Sequence, residues 1–450
     1  MITYSIIQKS QLEGALRLDA EYYQPEYLKL ISNLKTQKSK FIGEIGQVAY
    51  GTTPSGGVFE KEGVPFVRSQ NFSNLVVDTS DLVFCSEKFQ KQNKKSAIKP
   101  GDILFAAVGA TIGDLAVVQD EIKEGNINQN IARVRIIGNT INPYFVGFFF
   151  ASRPGQLQIE RLITGNAQPY LNSEQIKSFI APVLPMEEQN RFRSYFNEMQ
   201  KELENSKSLY SQAENLLLEE LGLKDFEVED DLVYIVNLSE IKSAHRADAE
   251  YFQPKYEKLI EKLKKCGASP LLDLAQNVAA KFNPKSQLAK IFRYVELSNI
   301  TSSVGTIDGF SEVSGSEAPS RAKRVLKLND VILSSVEGSL GKVALVGKEQ
   351  EGYLASNGFF QFRSKDILPE VLLVLAKSFV LQMQFEKQTA GTILTAVPKE
   401  AVKNIVVPKL NKSTQKKIAD LVQKSHEAHS KAKQLLEQAK SKVEDLIKNK

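Results

Sequence analysis

Apolar positions recur at alternating spacings of four and three residues in two long stretches of this sequence. The first seam contains Phe192, Phe196, Met199, Leu203, Ser206, Tyr210, Ala213 and Leu217. The second contains Ile418, Val422, Ser425, His429, Ala432, Leu436, Ala439, Val443 and Leu446. This is the heptad pattern of a coiled coil, and no proline interrupts either stretch. The pattern predicts two long helices, at 186–221 and 412–450.

Elsewhere the apolar residues fall in short runs separated by turn residues, which is typical of strands. The runs predicted as strands are Phe66–Val67, Ile103–Val108, Leu115–Val118 and Ala132–Ile137, then Tyr294–Leu297, Val331–Val336, Val343–Val346 and Phe359–Phe362. A helix is expected after Pro143 and another after Pro369, because proline suits the first helical turn. Helices and strands together predict an α/β (α+β) fold.

The chain repeats itself. LDAEYYQPEYLKLISNLK, which begins at Leu18, matches ADAEYFQPKYEKLIEKLK, which begins at Ala247. The segment that begins at Gly101 also aligns with the one that begins at Asn329, and the segment from Gly165 aligns with the one from Gly391. The number of residues between aligned positions changes only slightly along the chain. The unit of about 225 residues is too long for a solenoid repeat, so each half is expected to be a domain followed by a helix.

The repeat gives the domain bounds. A first globular domain with its N-terminal helix is predicted at 1–185, and the central long helix follows at 186–221. A linker with the second DAEY helix occupies 222–264. A second globular domain is predicted at 265–411, and the C-terminal long helix at 412–450.

The two predicted long helices carry opposite charge. Residues 186–221 contain eight acidic and four basic side chains, whereas 412–450 contain ten lysines and five acidic side chains. Opposite charge favours pairing of the two helices with each other. An antiparallel pair of about 36 residues would be about 54 Å long and would hold the two domains apart. The alternative is two separate solvated amphipathic helices.

Composition narrows the class of protein. The 450 residues are 42% hydrophobic and 25% charged, which are values of a globular chain. No apolar run reaches the length of a membrane span, and the N-terminus lacks the order of a signal peptide. The sequence has two cysteines, too few for a disulfide framework, and three histidines, which leave few ligands for a metal ion. We expect a cytoplasmic protein, and the net charge of +5 permits nucleic-acid binding without requiring it.

No catalytic constellation is evident. The segment Gly338–Lys342 resembles a fragment of a phosphate-binding loop, but its first glycine is missing. Asn142-Pro143-Tyr144-Phe145 lacks the second proline of an adenine methyltransferase element. His426 and His429 could face one metal ion but have no third ligand, and a helix surface explains them better.

Polar loops between the strands remain as candidate binding sites. Arginine, asparagine, glutamine and hydroxyl side chains can recognise base edges, and lysines can hold phosphates. The candidate DNA-binding residues of the first half are Thr52, Thr53, Ser55, Arg68, Ser69, Asn71, Gln129 and Gln168. Those of the second half are Lys281, Asn283, Lys285, Asn299, Ser302, Arg321, Lys323 and Thr392.

The sequence resembles the specificity subunits of type I restriction-modification systems. The segments that carry the resemblance are VAYGTTPSGG, VPFVRSQNF, KPGDILFAAVGATIGDLAVV, NQNIARVRI, INPYF and TGNAQPYLNSEQIKSFIAPVLPMEEQ. The second half departs from the pattern, with FNPKSQ in place of TTPSGG and GTILTAVPK in place of GNAQPYLN. Two similar frameworks with different loops are what recognition of two different half-sites in one DNA target would need.

The resemblance implies a non-catalytic subunit. Each half would be a target recognition domain that reads one part of a gapped sequence in double-stranded DNA. The long helices would form a spacer that docks two methyltransferase subunits, and restriction/translocase subunits could join them. S-adenosylmethionine would be bound by the methyltransferase, and no cofactor or metal is expected in this chain.

Two other functions fit the sequence less well. A single-chain adenine methyltransferase would need a cofactor turn and a complete Asn/Asp-Pro-Pro-Tyr/Phe element. A coiled-coil adaptor without DNA readout would bind duplex DNA weakly and without dependence on salt.

Overall fold

Helices and sheets alternate along the chain in the computed structural model, which describes residues 4–10, 12, 17–109, 111–163, 169–227, 233–391 and 395–448. The predicted mixed α/β class is therefore confirmed. The chain divides into two compact units: unit 1 comprises Met1–Leu203 and Ser430–Lys450, and unit 2 comprises Glu204–His429. The boundaries fall within the two long helices, which the sequence analysis treats as segments of their own.

Unit 1 is built around a mostly antiparallel sheet. Within the described residues, its strand order is Gly46–Tyr50, Ile131–Ile136, Ile103–Ala106, Leu115–Val117, Leu75–Val77 and Phe72–Ser73. A second sheet has the order Val83–Cys85, Val64–Val67 and Asn126–Ile127, and Ser39–Phe41 pairs with Ile180–Pro182. The central strands bury nearly all of their side chains, which explains why they read as continuous apolar runs in the sequence.

The helices of unit 1 cover this framework. Their bounds are Pro25–Thr36, Ile42–Ile45, Glu87–Gln92, Pro143–Ala151, Arg153–Leu162 and Ser173–Lys177. Short 3-10 turns lie at Ala20–Tyr23, Ser55–Gly57, Ser69–Asn71 and Lys94–Ser96. The helix at Pro143–Ala151 begins where it is predicted, and the Asn142 side chain caps it by accepting from the Tyr144 N–H at 2.9 Å.

Unit 2 has two four-stranded sheets among its described strands. One has the order Ala275–Asn277, Phe359–Ser364, Asp330–Ser334 and Val343–Leu345; the other has Ser311–Ser314, Ile291–Val295, Leu354–Ser356 and Ala322–Val325. Two shorter pairs are Ile300–Thr301 with Thr306–Ile307, and Ser269–Pro270 with Val406–Val407. These strands overlap all four strands predicted in the second half, but three of them end before the predicted bound, at Val295, Ser334 and Leu345.

The helices of unit 2 follow the same plan as those of unit 1. Their bounds are Leu238–Ala244, Pro254–Lys265, Leu271–Leu274, Pro369–Lys377 and Phe379–Lys387. The 3-10 turns are Ala249–Phe252, Pro284–Ser286, Leu297–Asn299, Lys348–Gln350 and Lys399–Asn404. As predicted, Pro369 occupies the first turn of its helix.

A buried carboxylate paired with an arginine recurs in each unit. In unit 1, Arg135 donates Nε and Nη2 to Asp102 at 2.8 and 2.7 Å. In unit 2, Arg363 donates the same two groups to Asp330 at 2.8 and 2.9 Å. The exposed fractions of the two aspartates are 1% and 0%. The sequence repeat thus corresponds to a repeated buried ion pair that joins neighbouring strands.

The long helices extend over Met186–Glu220 and Lys412–Lys448. In unit 1, side chains of the first helix share one core with those of the second, namely Phe192, Phe196 and Met199 with Ala432, Ala439 and Val443. Lys431 also contacts Glu202 at 2.5 Å, an ion pair of the kind the charge pattern favours.

In unit 2, two contacts give the direction of the helices. Ser206 donates its hydroxyl to the Ser425 carbonyl at 2.7 Å, and Asn411 donates its side-chain amide to Glu220 at 2.7 Å. Glu220 lies fourteen residues after Ser206 in the first helix, whereas its partner Asn411 lies fourteen residues before Ser425 in the chain that leads into the second helix. The helices therefore run antiparallel within this unit.

None of the described helices is both long enough and apolar enough to cross a membrane.

Candidate nucleic-acid interface

Three predicted loops meet in unit 1 beside the strand Asn126–Ile127. The Thr52 N–H donates to the Ile127 carbonyl at 3.1 Å, and the Asn128 N–H donates to the Val67 carbonyl at 3.3 Å. These bonds place the loops that carry Thr52, Arg68 and Gln129 next to one another. Thr52, Ser55 and Gln129 are exposed and Thr53 is half-buried, so this group of loops offers hydroxyl and amide groups to a ligand.

Gly51 allows this approach. A Cβ atom at this position would lie 2.1 Å from the carbonyl oxygens of both Ile127 and Asn128. Real Cβ atoms do not come so near to backbone oxygen, so the loop can lie against the strand only with glycine here.

Arg68 is held at the edge of the loops by Asp81. Its Nη2 donates to the Asp81 carbonyl at 3.0 Å and to the Asp81 carboxylate at 3.2 Å. Because the Asp81 side chain is 76% exposed, this pairing is weak and the guanidinium can exchange Asp81 for another acceptor. The neighbouring Ser69 is half-buried in the turn that follows Arg68.

Asn71 does not face solvent. It is 2% exposed, accepts from the Arg68 N–H at 2.9 Å and donates to the Asp81 carbonyl at 3.0 Å. The structure therefore corrects its predicted contact with DNA: Asn71 shapes the loop that presents Arg68.

Gln168 and Thr392 lie outside the described residues. The chain after Gln168 is anchored within unit 1, since the Leu171 N–H donates to the Ala107 carbonyl at 2.9 Å and the Tyr50 hydroxyl donates to the Leu171 carbonyl at 2.5 Å. Burial raises the pKa of Tyr50 to about 12, so this hydroxyl stays protonated and keeps donating at neutral pH.

The candidates of unit 2 fall in two separate places. Lys281, Asn283, Lys285 and Lys323 line one cleft of about 450 Å³, together with the rings of Phe282 and Pro284. Arg321 is exposed close by, where its carbonyl accepts from the Lys323 N–H at 2.9 Å. Phe282 and Ser320 also line the cleft and were not predicted, although FNPKSQ, which aligns with TTPSGG, marks the segment that contains Phe282.

Asn299 and Ser302 do not line this cleft. The Asn299 side chain accepts from the Glu296 N–H at 2.8 Å and so holds its own turn. The Ser302 carbonyl accepts from the Lys377 ammonium group. Burial lowers the pKa of Lys377 to about 8, although the charge of Glu214 opposes this shift. These contacts tie the Ile300–Ile307 hairpin to helices of unit 2.

The two neighbouring histidines of the second long helix contact the same hairpin. His426 Nε2 donates to the Val304 carbonyl at 2.8 Å, and His429 Nε2 lies 2.7 Å from the Asp308 carboxylate. The described residues include no group of three or more side chains suited to a metal ion. Both histidines therefore join helix and hairpin, a role that the sequence alone does not reveal.

Comparison with known proteins shows which class of protein this framework resembles. Residues 35–214 match the family model of the type I restriction modification DNA specificity domain. This segment contains the three adjoining loops of unit 1, and it is similar to a DNA specificity domain.

The particular relatives agree with this class. The chain is 28% identical over 143 residues to the type I restriction enzyme EcoBI specificity subunit of Escherichia coli, a match that covers 32% of this chain and 30% of the relative. The matched segment thus spans under a third of the relative's length. The resemblance to specificity subunits, expected from the sequence, is confirmed.

Two solved structures are distantly similar. The S subunit of a type I restriction-modification system from M. genitalium is 12% identical, with 91% of this chain and 95% of that chain covered and a TM-score of 0.39. The HsdS subunit from Thermoanaerobacter tengcongensis is 13% identical, with 91% and 96% covered and a TM-score of 0.30.

Proposed function

We propose that this chain is the DNA sequence-specificity subunit of a type I restriction-modification complex, in which unit 1 and unit 2 each read one part of a gapped target. The observation that carries the proposal is the meeting of the Thr52, Arg68 and Gln129 loops inside the matched DNA specificity domain. Their hydroxyl, guanidinium and amide groups are those that recognise base edges.

Different loops on related frameworks support a target in two unlike parts. The buried pairs Asp102–Arg135 and Asp330–Arg363 support the proposal that the two frameworks are related. The loops they support differ, with Thr52 and Thr53 in one unit and Phe282 and Asn283 in the other. Each half of the target would therefore be read by its own set of side chains.

The long helices are the proposed spacer between the two recognition domains. Support comes from the antiparallel contacts within unit 2 and from the Lys431–Glu202 ion pair within unit 1. We further propose that these helices and the adjoining DAEY segments dock two methyltransferase subunits, and that restriction/translocase subunits join where the system has them. Reversing charge along residues 198–204 is then expected to weaken assembly.

The chain itself is proposed to be non-catalytic and cytoplasmic, and to need no cofactor of its own. S-adenosylmethionine bound to the partner methyltransferase would supply the methyl group for adenine N6. The residues of this chain would select and orient the DNA on which the partner acts.

The test is a genome-wide map of N6-methyladenine in host cells with and without this chain, with its partners left intact. Loss of methylation at one gapped, two-part motif is the expected result and would also give the target. If the map is unchanged while the partners are expressed and methylate DNA, the specificity role is wrong. An adaptor without DNA readout would instead show salt-insensitive, weak binding of the purified chain to duplex DNA.

A further inference from the structure

The cleft of unit 2 is a formed site and not a chance surface hollow. Its two walls are residues 280–285 and 318–323, and the Phe282 N–H joins them by donating to the Lys323 carbonyl at 3.0 Å. The Phe282 ring packs edge-on against Phe292, with centroids 5.7 Å apart. Phe292 is 6% exposed and belongs to a buried cluster between the strands, so the cleft wall is fixed to the core.

The charges of this cleft are all of one sign. Lys281, Lys285 and Lys323 line it, and no Asp or Glu is among the residues that do so. In the described part of the chain, none of these three lysines has a carboxylate within ion-pair distance. Ser320 adds a hydroxyl group to the lining.

Arg324 follows Lys323 in the strand Ala322–Val325. Arg324 is 3% exposed, and its Nη1 donates to the Val278 carbonyl at 2.6 Å. Among the described residues no carboxylate pairs with it, and burial lowers its pKa to about 10.

Unit 1 cannot form the same site. When the two halves are aligned on Pro54 and Pro284, Lys281 stands at the position of Gly51, and Lys285 at that of Ser55. The space that a side chain at position 51 would need is filled by the carbonyls of Ile127 and Asn128, 2.1 Å from its Cβ. The lysine-lined wall is thus particular to unit 2.

We propose that this cleft binds a backbone phosphate of duplex DNA, so that unit 2 holds its half of the target by a charge interaction that the corresponding loop of unit 1 does not make. Lysine ammonium groups bind phosphate as point charges, and such contacts fix the register of a protein on DNA without reading bases. The open cleft suits a phosphate that remains part of a strand. This inference rests on the proposed function and adds a division of labour between the units.

The test compares two matched double variants of the full chain. Lys281→Met/Lys285→Met removes two charges from the cleft. Lys264→Met/Lys265→Met removes two exposed lysines from the end of the Pro254–Lys265 helix in the same unit. Binding of a random duplex of about 40 base pairs is measured from about 50 to 200 mM salt, the range over which phosphate contacts change affinity strongly.

The cleft variant is expected to lower the slope of log affinity against log salt by about 0.9 for each phosphate that the cleft no longer neutralises. The helix variant is expected to keep the wild-type slope. Equal slopes for the cleft variant and the wild type would overturn the inference while leaving the proposed function standing, whereas failure of the wild type to bind duplex DNA at all would overturn both.

A separate titration with inorganic phosphate distinguishes the source of the anion. No saturable binding of free phosphate by the full chain is expected, because exposed lysines bind a single phosphate weakly, whereas a phosphate of DNA is also held in place by the other contacts of its strand. Saturable binding that is abolished in the cleft variant would assign the cleft to a free phosphate compound and overturn the assignment to DNA.

Discussion

Ser206 and Ser425 exchange hydrogen bonds across the two long helices. The Ser206 hydroxyl donates to the Ser425 carbonyl, and the Ser425 hydroxyl donates to the Ser206 carbonyl, each at 2.7 Å. Both residues are 0% exposed. Small side chains that bond to the opposite backbone bring the helices close together at this point, so the seam does not have room for a larger residue.

We expect Ser206→Ala to lower the free energy of unfolding of the full chain by about 1 kcal/mol, the usual net value of a hydrogen bond. Ser206→Leu should cost about 3 kcal/mol because it overpacks a buried contact. Urea denaturation measures both, and Ser441→Ala on the exposed face of the second helix is the control. A leucine variant no less stable than the alanine variant would contradict the close approach.

Because the buried ion pair recurs, its loss is expected to lower the stability of each unit by a similar amount. Asp102→Ala and Asp330→Ala each leave an arginine without its buried partner, and each should cost about 3 kcal/mol of stability. The exposed residues Asp445 and Asp273, changed to alanine, are the controls for unit 1 and unit 2. Thermal unfolding of the four variants gives the comparison. If the Asp330 variant were as stable as its control, the pair in unit 2 would have no structural role.

Variants of Arg68 and Asp81 distinguish a contact between Arg68 and DNA from a role of this residue in the structure of the loop. Arg68→Ala should weaken binding to the cognate target by about 1–3 kcal/mol if the guanidinium contacts a base. Asp81→Ala removes the competing carboxylate and leaves the arginine in place, so affinity should be kept or raised. Fluorescence anisotropy on the target found by methylation mapping measures both variants. Equal decreases of affinity in the two variants would mean that the Arg68–Asp81 pair only shapes the loop.

His426 predicts a dependence of stability on pH. Burial lowers its pKa below 6.5, with a further contribution from the charge of His429, while the Val304 carbonyl, Asp308 and Glu370 act in the opposite direction. A depressed pKa in the folded state means that stability is present above pH 6.5 and is lost as the pH falls through the folded-state pKa. The free energy of unfolding should therefore fall as a sample is acidified from neutral pH.

His426→Gln should flatten this part of the pH profile, because glutamine can donate to the Val304 carbonyl without titrating. His245→Gln, at an exposed position, is the control. Urea denaturation at a series of pH values compares the three proteins, and a profile of His426→Gln that parallels the wild type would assign the effect to other groups.

The sequence predicted those features that depend on local pattern. The strands at Ile103 and Asp330, the helices that begin at Pro143 and Pro369, and the long helices all follow from apolar periodicity and proline position. Their observed bounds differ from the predicted ones by a few residues, because strands end where the partner strand ends.

Contacts between distant residues could not be predicted in this way. Asn71 has a side chain suited to base recognition, but it is 2% exposed and its amide donates to the Asp81 carbonyl. Lys281 and Lys323 line the same cleft because a backbone hydrogen bond joins Phe282 to Lys323, 41 residues later. The Ser302 carbonyl accepts from Lys377, 75 residues later in the chain. Side-chain type alone identifies candidates, and the fold then decides which of them face the same space.

The position of the two aspartate–arginine pairs has a consequence for how this protein can evolve. Asp102 pairs with Arg135 and Asp330 with Arg363 through buried carboxylates, and none of these four residues belongs to the loops at Thr52 and Lys281. Substitutions of the exposed side chains in those loops, Gly51 and Phe282 excepted, leave both pairs intact, and a lineage can therefore change the chemistry of a loop while keeping the framework that carries it.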